Sequence, residues 1–469
     1  MNDSKPYTPD QLASLTAALP YVSSWIQHRA WATRTPGVQF AVQFDGQVQL
    51  SGAFGVANIE TGEALTSGHL FRVASHSKTF TATAILQLAQ SRSLRLDDAA
   101  SDYVPALRGS NLEEVTVRDL LGHSAGIIRD GLDGDYWQHS RPFPDEEELV
   151  GILLNEGKVL ERNEKFKYTN IGYSLLGMIV AAASGRSYNQ YVSDEICARL
   201  GLANTGPDWN PAREQEYAAA HTGLHTSRTR VRVDHVDTHA MAAATGFYST
   251  AEDLVGYFAA HSLGDERLLS DDSKRLQQRR EWVSDPDDPA AAHYGLGMIT
   301  EKVGDHEVIG HSGGYPGHIT RSILDPRTGL VISVLTNSVD GPAGEIAQGV
   351  LSILDYAVEK PRTEGTFDAS RLTGRFANMW GVMDVVQLGE RIVTIHPGAP
   401  APLASVDVLE PAEPHVLRFE KGSGFGSIGE DLRYEFEGQS IVAIHGGGGM
   451  TMWPLVPPYD EPETAGTTP

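Results

Sequence analysis

The stretch FRVASHSKTFTATAILQLAQ, residues 71–90, decides how the rest of the chain is read. Its apolar residues keep a helical period, with Phe80, Ala84 and Leu88 on one face. Ser75 and Lys78 stand three apart where that helix begins, so their side chains share one face, one turn apart. A serine hydroxyl is a poor nucleophile at neutral pH. A neighbouring amine can take its proton only if the amine's own pKa is lowered, and burial at the positive end of a helix does this by disfavouring ammonium. A serine at a helix start also keeps a backbone N–H without an intrahelical partner, available to an oxyanion. The plainer alternative is an N-cap serine followed by a solvated lysine, and two fixed residues alone do not separate the two.

Working outward, strands flank a helical insert. Upstream, VQFAVQF (38–44), Asp45-Gly46 and QVQLSGAFGVANI (47–59) alternate with period two around a turn dipeptide and predict a β-hairpin. Downstream, the pattern is mainly helical to about Arg280, including a face formed by Ile171, Leu175 and Ile179 with Gly185 as the stop. Strand signals return at YGLGMIT (294–300), HEVIG (306–310), HITRSILD (318–325) and GLVISVLTN (329–337), and a helix over about 344–356 follows. Early and late strands share one antiparallel sheet only if the insert packs beside it, so the fold class is α+β. At the N-terminus, Thr8-Pro9-Asp10-Gln11 opens a helix carrying Leu12, Leu15 and Leu19.

Beyond the polar stretch EKPRTEGTFDAS, short turn-separated runs such as VMDVVQL (382–388), RIVTIHP (391–397) and LRYEFE (432–437) predict a small all-β barrel or sandwich. The expected organisation is an N-terminal helical segment at 1–30, a main domain at 31–358, a linker at 359–370, a β domain at 371–457 and a disordered tail at 458–469.

Two further groups can carry chemistry. Tyr168-Thr-Asn170 precedes the helix of Ile171, and His311-Ser-Gly313 follows the HEVIG strand signal. A phenol relays a proton if cations depress its pKa, and an Asn amide can hold both a lysine and a substrate carbonyl. Singly, these residues would be a packing aromatic, a helix cap and a hydrogen-bonded histidine.

Together and in this order, S-x-x-K, Y-x-N and H-x-G resemble the three motifs of the serine β-lactamase and penicillin-binding-protein-like hydrolases, in their class C-like branch. VTVRDLLGHSAGI, ATGFYSTAEDL and GHSGGYPGHITRSILDPRTGLVISVLTNS also resemble blocks of this family in its order, so the resemblance runs from about residue 35 to 357. It implies a β-lactamase-like domain and, for the C-terminal part, a lipocalin-like barrel. It implies Ser75 as nucleophile, Lys78 as its proton acceptor and Tyr168 as general acid/base. Asn170, His311, Gly313 and Gly314 are implied at the substrate, with the backbone N–H groups of Ser75 and Gly314 as the oxyanion hole. No cofactor and no metal is implied. Many members carry K-T-G where this chain has His311-Ser-Gly313, and histidine there removes a permanent positive charge.

The function implied is hydrolysis of an amide or ester in a small molecule or peptide through a Ser75 acyl-enzyme, as in D-amino-acid-specific peptidases, amidases and esterases. Two alternatives stay open: a penicillin-binding-protein-type thioesterase that passes the acyl group to an amine, and a non-catalytic binding protein.

Competing motifs are weaker. Gly122-His-Ser124-Ala-Gly126 and Gly310-His-Ser312-Gly-Gly314 match G-x-S-x-G, but neither stands between a strand and a helix as a nucleophile elbow requires. His445-Gly-Gly-Gly-Gly449 reads as a hairpin turn. His221/His225 and His235/His239 have i, i+4 spacing without an H-E-x-x-H glutamate.

The 469 residues carry 37 Lys plus Arg against 61 Asp plus Glu, a net −24 that argues against nucleic-acid and anionic-membrane partners. One cysteine, Cys197, excludes an intramolecular disulfide. MNDSKPYTPDQLASL lacks a signal-peptide pattern, so a soluble cytoplasmic location is expected. Oligomeric state is unreadable from the sequence.

Overall fold

The computed structural model describes residues 6–225 and 227–459, so all but the first two residues of the expected tail lie outside the described residues. From the N-terminus the principal elements are α1 (Pro9–Ala32), β1 (Gly37–Phe44), β2 (Gln47–Asn58), α2 (Ser77–Gln90), α3 (Asn170–Ser184), α4 (Ala251–Ala259), β3 (Ile299–Val303), β4 (His306–Tyr315), β5 (His318–Asp325), β6 (Leu330–Thr336) and α5 (Ala343–Glu359). Eight strands follow: β7 (Gly374–Asn378), β8 (Gly381–Leu388), β9 (Arg391–Ile395), β10 (Asp407–Glu413), β11 (Val416–Lys421), β12 (Asp431–Glu437), β13 (Ser440–Gly446) and β14 (Met450–Pro454). The chain divides into two compact units, Thr35–Ala347 in one, and Tyr7–Arg34 with Gln348 onward in the other. The N-terminal helix, expected as a segment of its own, thus groups with the C-terminal part.

In the first unit a nine-stranded antiparallel sheet runs Glu63–Ala64, β2, β1, β6, β5, β4, β3, His293–Tyr294, Trp282–Val283. Early and late strands do share one sheet, because β1 pairs β6 with Phe40 opposite Val334. Asp45 and Gly46 both take positive φ, 52° and 71°, which suits the right-handed twist of the hairpin they join. The period-two pattern of β1 implies one wet face, yet every residue of β1 is buried. Gln39 is tolerated there because its amide bonds fully: Nε2 donates to Thr66 O and His69 O, and Oε1 accepts from Ala251 N–H at the start of α4.

Two strand expectations are corrected. YGLGMIT breaks at Gly297, whose φ of 82° belongs to a turn and where a Cβ would fall 2.4 Å from Ala82 Cβ on α2. The HEVIG signal stops short at Gly310, whereas the His-Ser-Gly group lies on the strand, as the family resemblance implies: β4 continues through it to Tyr315 and pairs with β5 down to Tyr315–His318. The paired glycines look like a loop in sequence. They serve a close approach instead, since a Cβ on Gly313 would sit 2.1 Å from Val73 O.

The second unit is a closed antiparallel barrel of β7–β14, sealed where Phe376 and Ala377 meet Pro454 and Trp453. Closure leaves no free strand edge. Its interior is filled by side chains including Phe376, Leu417, Phe419, Leu432 and Ile444. Gly447–Gly449 form the β13–β14 turn, and all four glycines from Gly446 take positive φ. Helix α1 begins with the expected cap, Thr8 and Gln11 exchanging side-chain and backbone bonds. It docks on the barrel through Tyr21, whose hydroxyl donates to Asp384 Oδ2 at 3.0 Å, and its Trp25 ring leaves no room for a Cβ on Gly349. Among the described residues no helix is long and apolar enough to cross a membrane.

Candidate active site

Ser75 lies in a single 3₁₀ turn, Ala74–His76, that runs into α2. Lys78 occupies the first turn of α2 and is fully buried. Tyr168 and Asn170 arrive from the start of α3, where Thr169 is the N-cap and accepts from Gly172 N–H at 2.9 Å. The remaining unpaired donors of that helix end, Asn170 N–H and Ile171 N–H, both reach Arg129 O. This binds the loop around Arg129 to the base of α3. The edge of β4 supplies the fourth wall.

These elements enclose a cleft of about 380 Å³ lined by Ser75, Tyr168, Asn170, His311 and Gly314, five of the seven residues singled out in the sequence. Lys78 lies beneath Ser75, and Gly313 packs on the backbone at Val73 without lining the cleft. Ser75 Oγ accepts from Tyr168 OH at 2.8 Å and lies 3.2 Å from Lys78 Nζ. Nζ also donates to Asn170 Oδ1 at 2.7 Å and to Ala244 O at 2.9 Å. None of these partners is charged. Burial therefore dominates and holds the amine well below its usual pKa, with Asp130 opposing and Arg129 adding to the shift.

The condition for a phenol relay, cations depressing its pKa, is not met by Tyr168. Burial raises it and outweighs both the Ser75 hydrogen bond and Arg129, so the free site holds a protonated phenol that can donate. His311 is buried and held neutral, far below its usual pKa, chiefly by desolvation. Its Nδ1 contacts Ser312 O at 2.6 Å and its Nε2 contacts Tyr294 OH at 3.1 Å. The carbonyl partner places the proton on Nδ1, leaving Nε2 to accept from the phenol. The ring thus offers a substrate neither charge nor a free N–H.

Sequence reasoning missed Asp130, Trp137, Arg129 and the carbonyl of Ala244. Asp130 Oδ1 accepts from Asn170 Nδ2 at 2.7 Å and from Trp137 Nε1 at 3.0 Å, while Oδ2 lies 3.1 Å from Arg129 Nε. That bond fixes the Asn170 amide with its oxygen toward Lys78. The segment RDGLDGDYWQ reads as a solvated glycine-rich loop, and only its attachment to α3 brings it to the cleft. Ala244 belongs to a π-helical turn, Ala242–Gly246, and a carbonyl leaves no mark in a sequence.

The competing motifs fall away on geometry. Ser124 follows the short helix Val117–Leu121 and is buried, and Ser312 lies within β4. His221 and His235 bond to backbone carbonyls of Asn337 and Ala218, and neither i, i+4 pair shares a helix. Cys197 is buried, with its thiol pushed up to about 12 by desolvation.

Residues 22–354 match the protein family described as Beta-lactamase. The chain belongs to the beta-lactamase family of serine hydrolases. Penicillin-binding protein 4* of Bacillus subtilis (strain 168) is 28% identical to this beta-lactamase-family chain over 310 residues, 61% of this chain and 65% of that protein. The chain thus spans less than two thirds of that curated relative. Among solved structures, the D-amino acid amidase from Ochrobactrum anthropi SV3 complexed with D-phenylalanine matches with TM-score 0.59 and 25% identity, over 71% of this chain and 98% of that one. The octameric penicillin-binding protein homologue from Pyrococcus abyssi matches with TM-score 0.64 and 22% identity, over 92% and 99%. That likeness is one of fold, and it spans both units of this beta-lactamase-family chain.

Proposed function

We propose that the protein hydrolyses amides, with esters as easier substrates, through an acyl-enzyme on Ser75, and that its acyl group is a D-amino acid. The observation that carries this is the position of Ser75 Oγ between a protonated phenol at 2.8 Å and a buried amine at 3.2 Å with uncharged partners. A neutral Lys78 has two N–H bonds, and Asn170 Oδ1 and Ala244 O take both. Its lone pair is left for Ser75 Oγ–H.

In the proposed reaction Lys78 Nζ takes the hydroxyl proton as Oγ attacks the substrate carbonyl. The carbonyl oxygen becomes an oxyanion between the N–H groups of Ser75 and Gly314. Tyr168 OH donates a proton to the departing amine, the C–N bond breaks, and the new ammonium of Lys78 returns a proton to the phenolate. Water then attacks the acyl carbonyl, giving up its proton to the same pair, and Ser75 Oγ recovers it as the acid leaves.

Three features support the substrate class. The Asp130 carboxylate at the cleft suits the α-ammonium of an aminoacyl group. Trp137 beside it supplies an apolar wall. A neutral His311 with both nitrogens engaged gives no hold on a substrate carboxylate, and the cleft's Arg129 is already paired with Asp130, which favours an amide leaving group over a free C-terminal residue. The D-amino acid amidase match points the same way.

Intact-mass measurement after brief incubation with D-phenylalanine amide, its L-enantiomer, a p-nitrophenyl ester, a penicillin and a peptidyl thioester tests the reading. Wild type is expected to show a transient adduct that Ser75→Ala lacks, with the D-aminoacyl adduct clearing fastest. Full turnover by Ser75→Ala overturns the site. An adduct that clears only to an added amine replaces hydrolysis with acyl transfer.

A further inference from the structure

Arg72, three residues before Ser75, is a fully buried cation outside the reacting groups. Its Nη2 meets Asp208 Oδ1 at 3.0 Å and its Nη1 donates to Val236 O at 2.7 Å. The guanidinium lies 4.4 Å over the ring of Tyr315, a cation–π contact, and the Tyr315 hydroxyl bonds to the same Val236 carbonyl at 3.3 Å. Asp208 is fixed in turn by Trp209 N–H at 2.7 Å and Thr238 N–H at 3.1 Å. On the other side of Ser75, His76 Nε2 meets Ser322 Oγ at 3.0 Å on β5. Residues 72–76 are thereby fastened to the β4–β5 hairpin at both ends, with Val73 O packed against Gly313 between them.

A buried ion pair of this kind contributes little net stability, since well-packed apolar residues of the same volume usually do as well. Arg72 Nε moreover lies buried without a hydrogen-bond partner. What the arrangement does supply is geometry: it ties the residue three before Ser75 to the residue directly after Gly314. We infer that Arg72, held by Asp208 against Tyr315, is a positioning residue that sets the separation of the Ser75 and Gly314 N–H groups around the oxyanion. This rests on the acyl-enzyme reading above. An oxyanion hole works only when its donors lie about 2.7–3.1 Å from the developing charge, so loosening one wall destabilises the transition state and leaves ground-state binding alone.

The test uses Tyr315→Leu, Tyr315→Phe and Arg72→Met in the full chain. Acylation by a p-nitrophenyl D-aminoacyl ester is followed alongside inhibition by phenylboronic acid, which forms a tetrahedral anion on serine, and binding of D-phenylalanine. Tyr315→Leu and Arg72→Met are expected to lower kcat by about 10- to 100-fold with KM little changed, less than the roughly 100- to 1000-fold loss when an oxyanion-hole donor is removed outright. Boronate affinity falls in parallel and D-phenylalanine affinity holds. Tyr315→Phe keeps the ring beneath the guanidinium and stays within about threefold of wild type. Acylation of Tyr315→Leu at the wild-type rate overturns the inference, as does an equal loss of boronate and D-phenylalanine binding. If Arg72→Met does not fold, the two Tyr315 variants decide. A wild type that never acylates breaks the Ser75 reading instead, a result distinct from unchanged variants.

Discussion

Lys78 in the first unit and Arg375 in the barrel unit are both buried basic side chains, and they are held in opposite ways. Arg375 forms a bidentate pair with Asp384, Nε to Oδ1 at 2.7 Å and Nη2 to Oδ2 at 2.8 Å, and Tyr21 from α1 completes the carboxylate. Lys78 meets a hydroxyl, an amide oxygen and a backbone carbonyl. The difference separates structure from chemistry. A cation with its own carboxylate stays charged and fixes a helix on a barrel, whereas one surrounded by neutral acceptors is driven toward its uncharged form and can take a proton.

The largest effect expected from this contrast is at Lys78. Lys78→Arg keeps a cation that cannot deprotonate, and Lys78→Met removes it. Both are expected to slow acylation of Ser75 on the order of 10³-fold in stopped-flow ester assays. An arginine variant near wild-type speed would show that charge, not basicity, is what the position supplies.

Next is Asp384→Ala, which strands Arg375 without its counter-charge and is expected to cost about 3–5 kcal/mol in urea unfolding of the barrel unit. The double change Arg375→Met with Asp384→Leu should restore most of that loss. A single variant as stable as wild type would erase the contrast.

The pH dependence of stability sharpens it further. The folded pKa of Lys78 is depressed below its unfolded value, so between the two the unfolded chain binds more protons and stability rises with pH toward 10.5. The difference in Tm between wild type and Lys78→Met is expected to shift in favour of wild type as pH goes from 7 to 10. Buried histidines have the same sign in acid. His76 and His235 are lowered to about 3 by burial, so stability falls as pH drops from 6.5 toward 3. The Arg375 guanidinium does not titrate there, and the Asp384 carboxyl, raised by burial, has the opposite sign.

The smallest effects belong to Ser124→Ala and Ser312→Ala, which should leave acylation within about threefold of wild type by the same mass assay. Loss at Ser124 with Ser75 dispensable would move the nucleophile.

Much of this was legible in residue order. Thr8 to Gln11 announced the cap of α1, Asp45-Gly46 the hairpin turn, and Gly185 the end of α3, because local backbone energetics decide each. The spacing of Ser75 and Lys78 is equally local. The continuation of β4 through His311-Ser-Gly-Gly314 was not, since glycines there answer to the backbone at Val73, a neighbour remote in sequence. Nor could Asp130 be placed at the cleft before Arg129 O was seen to cap α3.

Residue order was enough for the chemical groups, their succession and the family, because motif residues and periodic patterns are properties of short stretches. Tertiary structure alone decided which of those groups are charged. Desolvation is set by everything packed around a side chain, and it leaves Lys78 inclined to lose a proton, Tyr168 to keep one and His311 neutral.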